Sequence, residues 1–299
     1  MYYILYGLLY FISLLPFFII YRISDFFFVL LYYVFGYRKK VVVQNIAIAF
    51  PEKTAGEHKK IARQFYRNLV DTFIETIKML SMSDRQFSKR CTTDMSAVNA
   101  LVAKGLNIQI HAGHQMNWEY ANWVVSRGLT LPWIGIYQPI GNKSFNKVFL
   151  KLRARYHTKL VSTREFKTAM PQLFKSQYVL GLAADQNTSP QTGYWMYFFS
   201  QPVPFIMGPD KGALKNNTAV VFTKSTILKR GHYHFEHVVV AESTENYKPG
   251  ELTRLYRDFL ETIIRQQPHN YLWTHRRWRH KYSQEFSDAW FDNRPAPVN

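Results

Sequence analysis

His114 and Glu119 stand five residues apart in Gly113-His-Gln-Met-Asn-Trp-Glu119, and they are the pair best suited to acid–base chemistry. An imidazole titrates near neutral pH and can take a proton from a hydroxyl. A carboxylate beside it can orient the ring and stabilise the imidazolium that forms. On one continuous helix, five steps of roughly 100° would leave the two side chains about 140° apart. Cooperation therefore requires His114 just before a helix and Glu119 in its first turn. The segment offers that arrangement: Gly113 closes a strand exit, Asn117 suits an N-cap, and helical spacing begins at Trp118. A solvated loop histidine followed by a carboxylate that the helix dipole favours fits the same pattern. Spacing alone leaves both readings open.

Three other features could carry chemistry. His232, His234 and Glu236 alternate, so on a strand they share one face and could ligate zinc. No further ligand is spaced nearby, and a solvated strand face is the simpler reading. Cys91 is the single cysteine; it excludes an intrachain disulfide framework and a Cys-rich zinc site, and it fits a reducing compartment. His275, Arg276, Arg277, Arg279, His280 and Lys281 interleave with Trp273, Trp278 and Tyr282. Basic residues among aromatics suit single-stranded nucleic acid. They equally suit a headgroup surface, where Trp prefers the interface and each cation gains about 1 kcal/mol near anionic lipid, or a solvated face.

The elements that must position these residues follow from hydrophobic patterning. Ile61, Phe65, Leu69, Phe73, Ile77 and Leu80 form one stripe of a long amphipathic helix. Residues 106–112 alternate like a strand and run into Gly113. Helical spacing follows from Trp118 to Val125, and 131–137 reads as a buried strand. Phe145, Val148, Phe149 and Leu152 mark a helix, and 178–184 is a short apolar strand with Asp185 at its exit. Residues 219–228 and 232–240 read as strands, and Leu252, Leu255, Phe259 and Ile263 mark a closing helix. This alternation predicts an α/β fold: a central, mostly covered β-sheet flanked by helices, preceded by an N-terminal membrane-anchoring helix.

The anchor is expected in residues 1–37, the catalytic domain in 38–287, and a loose C-terminal tail in 288–299. Met1 to Tyr21 carries no charged side chain, and roughly 20 apolar residues suffice to cross a bilayer. The basic start, short apolar region and small-residue cleavage site of a signal peptide are missing from this segment. A buried core hairpin is the alternative; residues 26–35 could span the membrane or lie on it. Arg38-Lys39-Lys40 follows, and the positive-inside rule then places the remainder on the cytoplasmic side of a single-pass anchor. With 38 Lys and Arg against 20 Asp and Glu, the net charge is +18, which calls for an anionic partner.

Beyond the residues themselves, Gly113-His-Gln-Met-Asn-Trp-Glu119 resembles the His-x4-Glu motif of the bacterial late lipid A acyltransferases, within the lysophospholipid acyltransferase-like class. The resemblance continues in order: Asn45-Ile-Ala-Ile-Ala-Phe-Pro-Glu52, Tyr137-Gln-Pro-Ile-Gly-Asn142, Arg153, Arg164, Ala184-Asp-Gln186, Phe198-Phe-Ser-Gln-Pro-Val203 and Tyr271-Leu-Trp-Thr-His-Arg-Arg-Trp278. It implies transfer of a fatty acyl chain from acyl carrier protein to a hydroxyl of a lipid A precursor at the bacterial inner membrane. No metal, no cofactor and no covalent acyl-enzyme are implied. By this likeness His114 is the general base and Glu119 its supporting carboxylate. The expected substrate-binding set is Arg164, Arg153, Asn117, Asp185 and Gln186. Arg164 would stabilise developing charge or hold an acceptor phosphate; a surface ion pair is its plainer role. Gln115, Met116 and Ser200 depart from the family's usual residues near the expected site and bear on the acceptor. That acceptor could be another lipid, such as an aminolipid or a pigment precursor. A membrane-anchored nucleic-acid-binding protein would explain the basic excess but not the ordered blocks, so no nucleic acid is expected.

Overall fold

The computed structural model describes residues 1–297. The uncharged N-terminal stretch is not one helix. Pro16 has no N–H to donate, and the chain breaks there into α1 (Tyr2–Leu14) and α2 (Phe17–Val29), which one π-type turn extends to Val34. The segment Met1 to Tyr21, expected as the span, is thus divided between two helices. Among the described residues, the helix long and apolar enough to cross a membrane is Phe17–Val34, and it contains Arg22 and Asp25.

This helix is tied to the rest of the chain along one face. Ile20, Ser24, Phe28 and Tyr32, spaced by four, are buried against α4 (Ala55–Lys78), which a Thr54–Glu57 capping box starts. α3 (Lys39–Ala49) joins the two. The Tyr21 hydroxyl donates to Glu75 at 2.8 Å and Ser24 donates to Asp71. Arg230 reaches Asp25 at 2.9 Å and Asp71 at 2.7 Å. The opposite face leaves Phe18, Phe26, Val29 and Tyr33 exposed, and Ile4, Leu8 and Phe11 extend this apolar surface along α1.

α5 (Asp84–Ser88) and β1 (Cys91–Thr93) lead through α6 (Ser96–Ala103) into the sheet. The further strands are β2 (Ile108–Ala112), β3 (Trp133–Tyr137), β4 (Lys159–Ser162), β5 (Val179–Ala183), β6 (Gly193–Phe198), β7 (Gln201–Ile206), β8 (Ala219–Lys229) and β9 (His232–Ala241). Seven of them form one sheet in the order β1-β9-β8-β2-β5-β3-β4, parallel except for the β8–β9 hairpin. β6 and β7 pair separately. α7 (Trp118–Gly128), α8 (Lys143–Arg153), α9 (Phe166–Leu173), α10 (Gly208–Asn216) and α11 (Glu251–Gln266) are the remaining helices. α6 and α7 bury Ile108, Ile110, Val179 and Val221 on one face; α10 and α11 pack against Val220 and Phe222 on the other. Coverage on both faces suits parallel strands.

From Asp288 the expected loose tail is in part docked. Phe291 packs on Tyr194, with ring centroids 4.2 Å apart. Asp292, 1% exposed, binds Arg257 at 2.8 Å. Residues 298 and 299 lie outside the described part.

Candidate active site

β2 and β5 are neighbours and parallel, with Ala112 opposite Ala183, so their exits lie side by side at the carboxyl edge of the sheet. Gly113 follows β2 in contact with α11: a Cβ there would sit 2.5 Å from the Leu260 Cδ2 methyl. This close approach admits only glycine without repacking. His114 comes next, and Asp185 stands at the corresponding place after β5.

The two meet twice. The His114 backbone N–H donates to Asp185 Oδ2 at 2.9 Å, and the ring Nδ1 lies 2.6 Å from Oδ1. Asp185 is 1% exposed and the imidazole 25% exposed. Burial alone would lower the His114 pKa, but the charge and hydrogen bond of Asp185 outweigh it and hold the pKa above the ordinary value. Burial likewise opposes the ionised Asp185, yet the imidazolium and its hydrogen bonds bring that carboxyl down to about 2. With Nδ1–H given to the carboxylate, Nε2 keeps its lone pair, and the Gln186 amide nitrogen faces it at 3.1 Å.

Glu119 does lie in the first turn of α7, as its spacing requires, but its carboxylate serves a different partner. Both oxygens are taken by Arg153 at the end of α8: Nε at 2.9 and 3.1 Å, and Nη2 at 2.5 Å. The carboxylate on His114 is thus Asp185. Asp185, expected among the substrate-binding residues, holds the imidazole instead; patterning marked it only as an acid at a strand exit. What patterning lacked was the strand order. Glu119 is 2% and Arg153 19% exposed. Arg153 Nη1 makes no hydrogen bond among the described residues, and the side chain lines the same cavity as His114.

Asn117 caps α7 in a left-handed conformation with φ 60° and accepts from the Tyr120 N–H at 3.2 Å. It is fully buried, and its amide N–H donates to Glu75. Asn117, expected among the substrate-binding residues, is thus engaged in positioning the segment and is not among the cavity-lining residues. Glu75 also accepts from Tyr21 and Tyr233 at 2.8 Å each; burial and the nearby Asp71 raise its pKa to about 7. Nothing in the periodicity of α4 singled it out. Arg164 is exposed in the turn after β4, at the same edge of the sheet but outside the cavity lining.

The departures from the family pattern separate as well. Gln115 lines the cavity and exchanges two hydrogen bonds with the Ser225 backbone, at 2.9 and 2.7 Å. Met116 is also at the lining. Ser200 donates to the Ile48 carbonyl at 2.7 Å, away from His114. In the zinc-like cluster, His234 pairs with Thr92 and His232 with the Arg230 carbonyl. Burial pushes the Cys91 thiol up, which disfavours a thiolate. The basic–aromatic block divides: Trp273 and Arg277 are buried, whereas Arg276, Arg279 and Lys281 face solvent.

His114, Glu119, Gln186 and Arg153 open onto a cavity of about 430 Å³ that runs between α7 and the sheet, lined otherwise by residues such as Ile110, Val125, Trp133 and Leu160. A histidine–carboxylate pair at the mouth of an apolar slot, at the carboxyl ends of parallel strands, can chemically deprotonate a group held next to an apolar ligand, and it places the chain among α/β folds with a cleft at the sheet edge.

Residues 1–280 match the family model for bacterial lipid A biosynthesis acyltransferases, and the chain belongs to that family. It is similar to the lipid A biosynthesis palmitoleoyltransferase of Escherichia coli (strain K12), with 21% identity over 252 residues, 81% of this chain and 79% of the relative. The lipid A biosynthesis acyltransferase of Shigella flexneri matches with the same identity and coverage. Family membership supports acyl transfer in lipid A biosynthesis.

Proposed function

We propose that this chain moves a fatty acyl group from acyl carrier protein to a hydroxyl of a lipid A precursor, at the cytoplasmic face of the inner membrane. The observation that carries the reading is the His114 imidazole, held at Nδ1 by Asp185, with Nε2 at the mouth of an apolar cavity. The acceptor hydroxyl takes the place of the Gln186 amide at Nε2. As its oxygen attacks the thioester carbonyl, its proton passes to Nε2 and Asp185 stabilises the imidazolium. The carbon–oxygen bond forms, the carbon–sulfur bond breaks, and the departing thiolate recovers the proton from His114. A thioester is already activated, so a positioned base and a stabilised oxyanion suffice. Arg153, fixed by Glu119, supplies a permanent charge and the unpaired Nη1 for that oxyanion. Glu119 thus acts through Arg153. The acyl chain lies in the cavity under α7.

Exposed Arg276, Arg279 and Lys281 suit the acidic carrier protein or lipid phosphates, and the apolar surface of α1 and α2 suits the membrane. The inner face of α2 carries Ser24 and Asp25 in polar contacts with the catalytic part. This favours a helix embedded along one face over one that crosses alone. The test is an assay of the purified protein with acyl carrier protein thioesters and a panel of lipid acceptors, read by mass spectrometry. The expected product is an acylated lipid A precursor. His114→Ala, folded by circular dichroism, should lose about 10²- to 10⁴-fold in turnover. Transfer only to an aminolipid or another acceptor would overturn the substrate assignment, and near-wild-type turnover of His114→Ala would overturn the base.

A further inference from the structure

The cavity has a built shape. On the α7 side of the sheet, Ile110, Gly181, Gly135 and Leu160 stand in one register row across β2, β5, β3 and β4. The row above begins Ala112, Ala183. The two alanines leave a trough at the mouth, and the two glycines below make room for neighbouring side chains: Trp133 over Gly181, and Thr158 and Leu160 over Gly135. α7 roofs it with Ala121, Asn122 and Val125. The trough is closed below by Trp133, one row deeper and paired in register with Val179. Its indole lies over Gly181: a Cβ on that glycine would sit 2.1 Å from the ring. The indole N–H donates to Thr158 Oγ at 3.1 Å, which fixes the ring plane. The ring thus rises to the Gly181 row, two strand steps below Ala183 at the mouth, about 7 Å.

We propose that Trp133, seated on Gly181 and tethered by Thr158, is the floor of the acyl site and sets the longest chain the enzyme transfers. This rests on the reading of the cavity as the acyl site. A chain that reaches the indole fills the trough; a longer one must displace a hydrogen-bonded ring from a close-packed seat. Shorter chains still bind but leave the lower trough empty and lose contact. One methylene in such a pocket is worth about 10- to 200-fold in discrimination, enough for a single ring to decide between chains two carbons apart. His114 and Arg153 lie at the other end, so changing the floor leaves the reacting groups in place.

The experiment is a competition assay in which the full-length protein receives equimolar acyl carrier protein thioesters from 10 to 18 carbons and products are resolved by mass. Trp133→Ala is expected to move the product maximum to longer chains, raising the long-to-preferred ratio at least about tenfold. Thr158→Val keeps the ring, frees it to move, and is expected to give a smaller shift in the same direction; it serves where Trp133→Ala fails to fold. An unchanged chain-length profile in a folded, active Trp133→Ala or Thr158→Val protein overturns the inference. Failure of the wild type to transfer any chain would instead overturn the acyltransferase reading itself.

Discussion

The residue with the most to explain is His114, because burial and charge pull its basicity in opposite directions. Burial favours the neutral ring, while Asp185 favours the imidazolium and wins. A free base is needed to accept a proton, so activity should fall as pH drops through the raised pKa of His114. Removing the carboxylate leaves burial unopposed, and the limb should then move to lower pH while turnover also falls. The sequence identified His114 from a loop position and a neutral-range pKa. It pointed to Glu119 as helper because the two are close along the chain. The true contact spans 71 residues and depends on β5 lying beside β2, which local patterning does not reveal. Arg153 was legible only through its family block, and Arg164 was weighted for the same reason although it lies outside the cavity lining.

Among the elements, α7 and α8 are the pair whose relation matters most. Glu119 and Arg153 join the start of one to the end of the other, and Trp123 donates to the Leu152 carbonyl at 2.7 Å nearby. The ion pair is largely buried, so leaving one partner alone should cost about 3–5 kcal/mol. Arg153→Ala and Glu119→Ala are each expected to destabilise on this scale in urea titrations, with the double variant well short of their sum. Additive losses would show that the two act independently. Activity should be lost in all three, since the double variant removes the uncompensated charge but does not restore the Arg153 guanidinium. Long, strongly periodic elements such as α4, α7 and α11 were readable because each buries one continuous stripe. β1, with three residues, and the β6–β7 hairpin were not. Short strands carry too little periodicity, and an aromatic run such as Tyr194 to Phe199 fits several states.

At the scale of the whole molecule, charge and apolar surface are arranged together. Lys60, Arg63, Arg67 and His269 line a groove along α4 with no acidic residue among the lining. Arg67 lies over the Phe28 ring at 5.2 Å, beside the helix whose other face is apolar and exposed. An anionic bilayer would meet both features at once: apolar side chains in the acyl region and cations at the phosphates. Binding to vesicles containing anionic lipid should therefore exceed binding to neutral vesicles and weaken with salt. Lys60→Gln with Arg63→Gln should weaken it by about 1 kcal/mol per charge in sedimentation assays. Equal binding of both proteins to both kinds of vesicle would place the membrane contact elsewhere. The net positive charge suggested an anionic partner, but only the folded arrangement separates a buried Arg277 from exposed cations bordering an apolar face.

The most direct measurement is the pH dependence of kcat/KM for acyl transfer by the wild type and Asp185→Asn. The wild type should show an acidic limb above about 6.5, the ordinary histidine value, and Asp185→Asn should show a lower plateau with its limb displaced to lower pH. A limb at the same pH in both proteins, with equal plateaus, would contradict a base formed by His114 and Asp185.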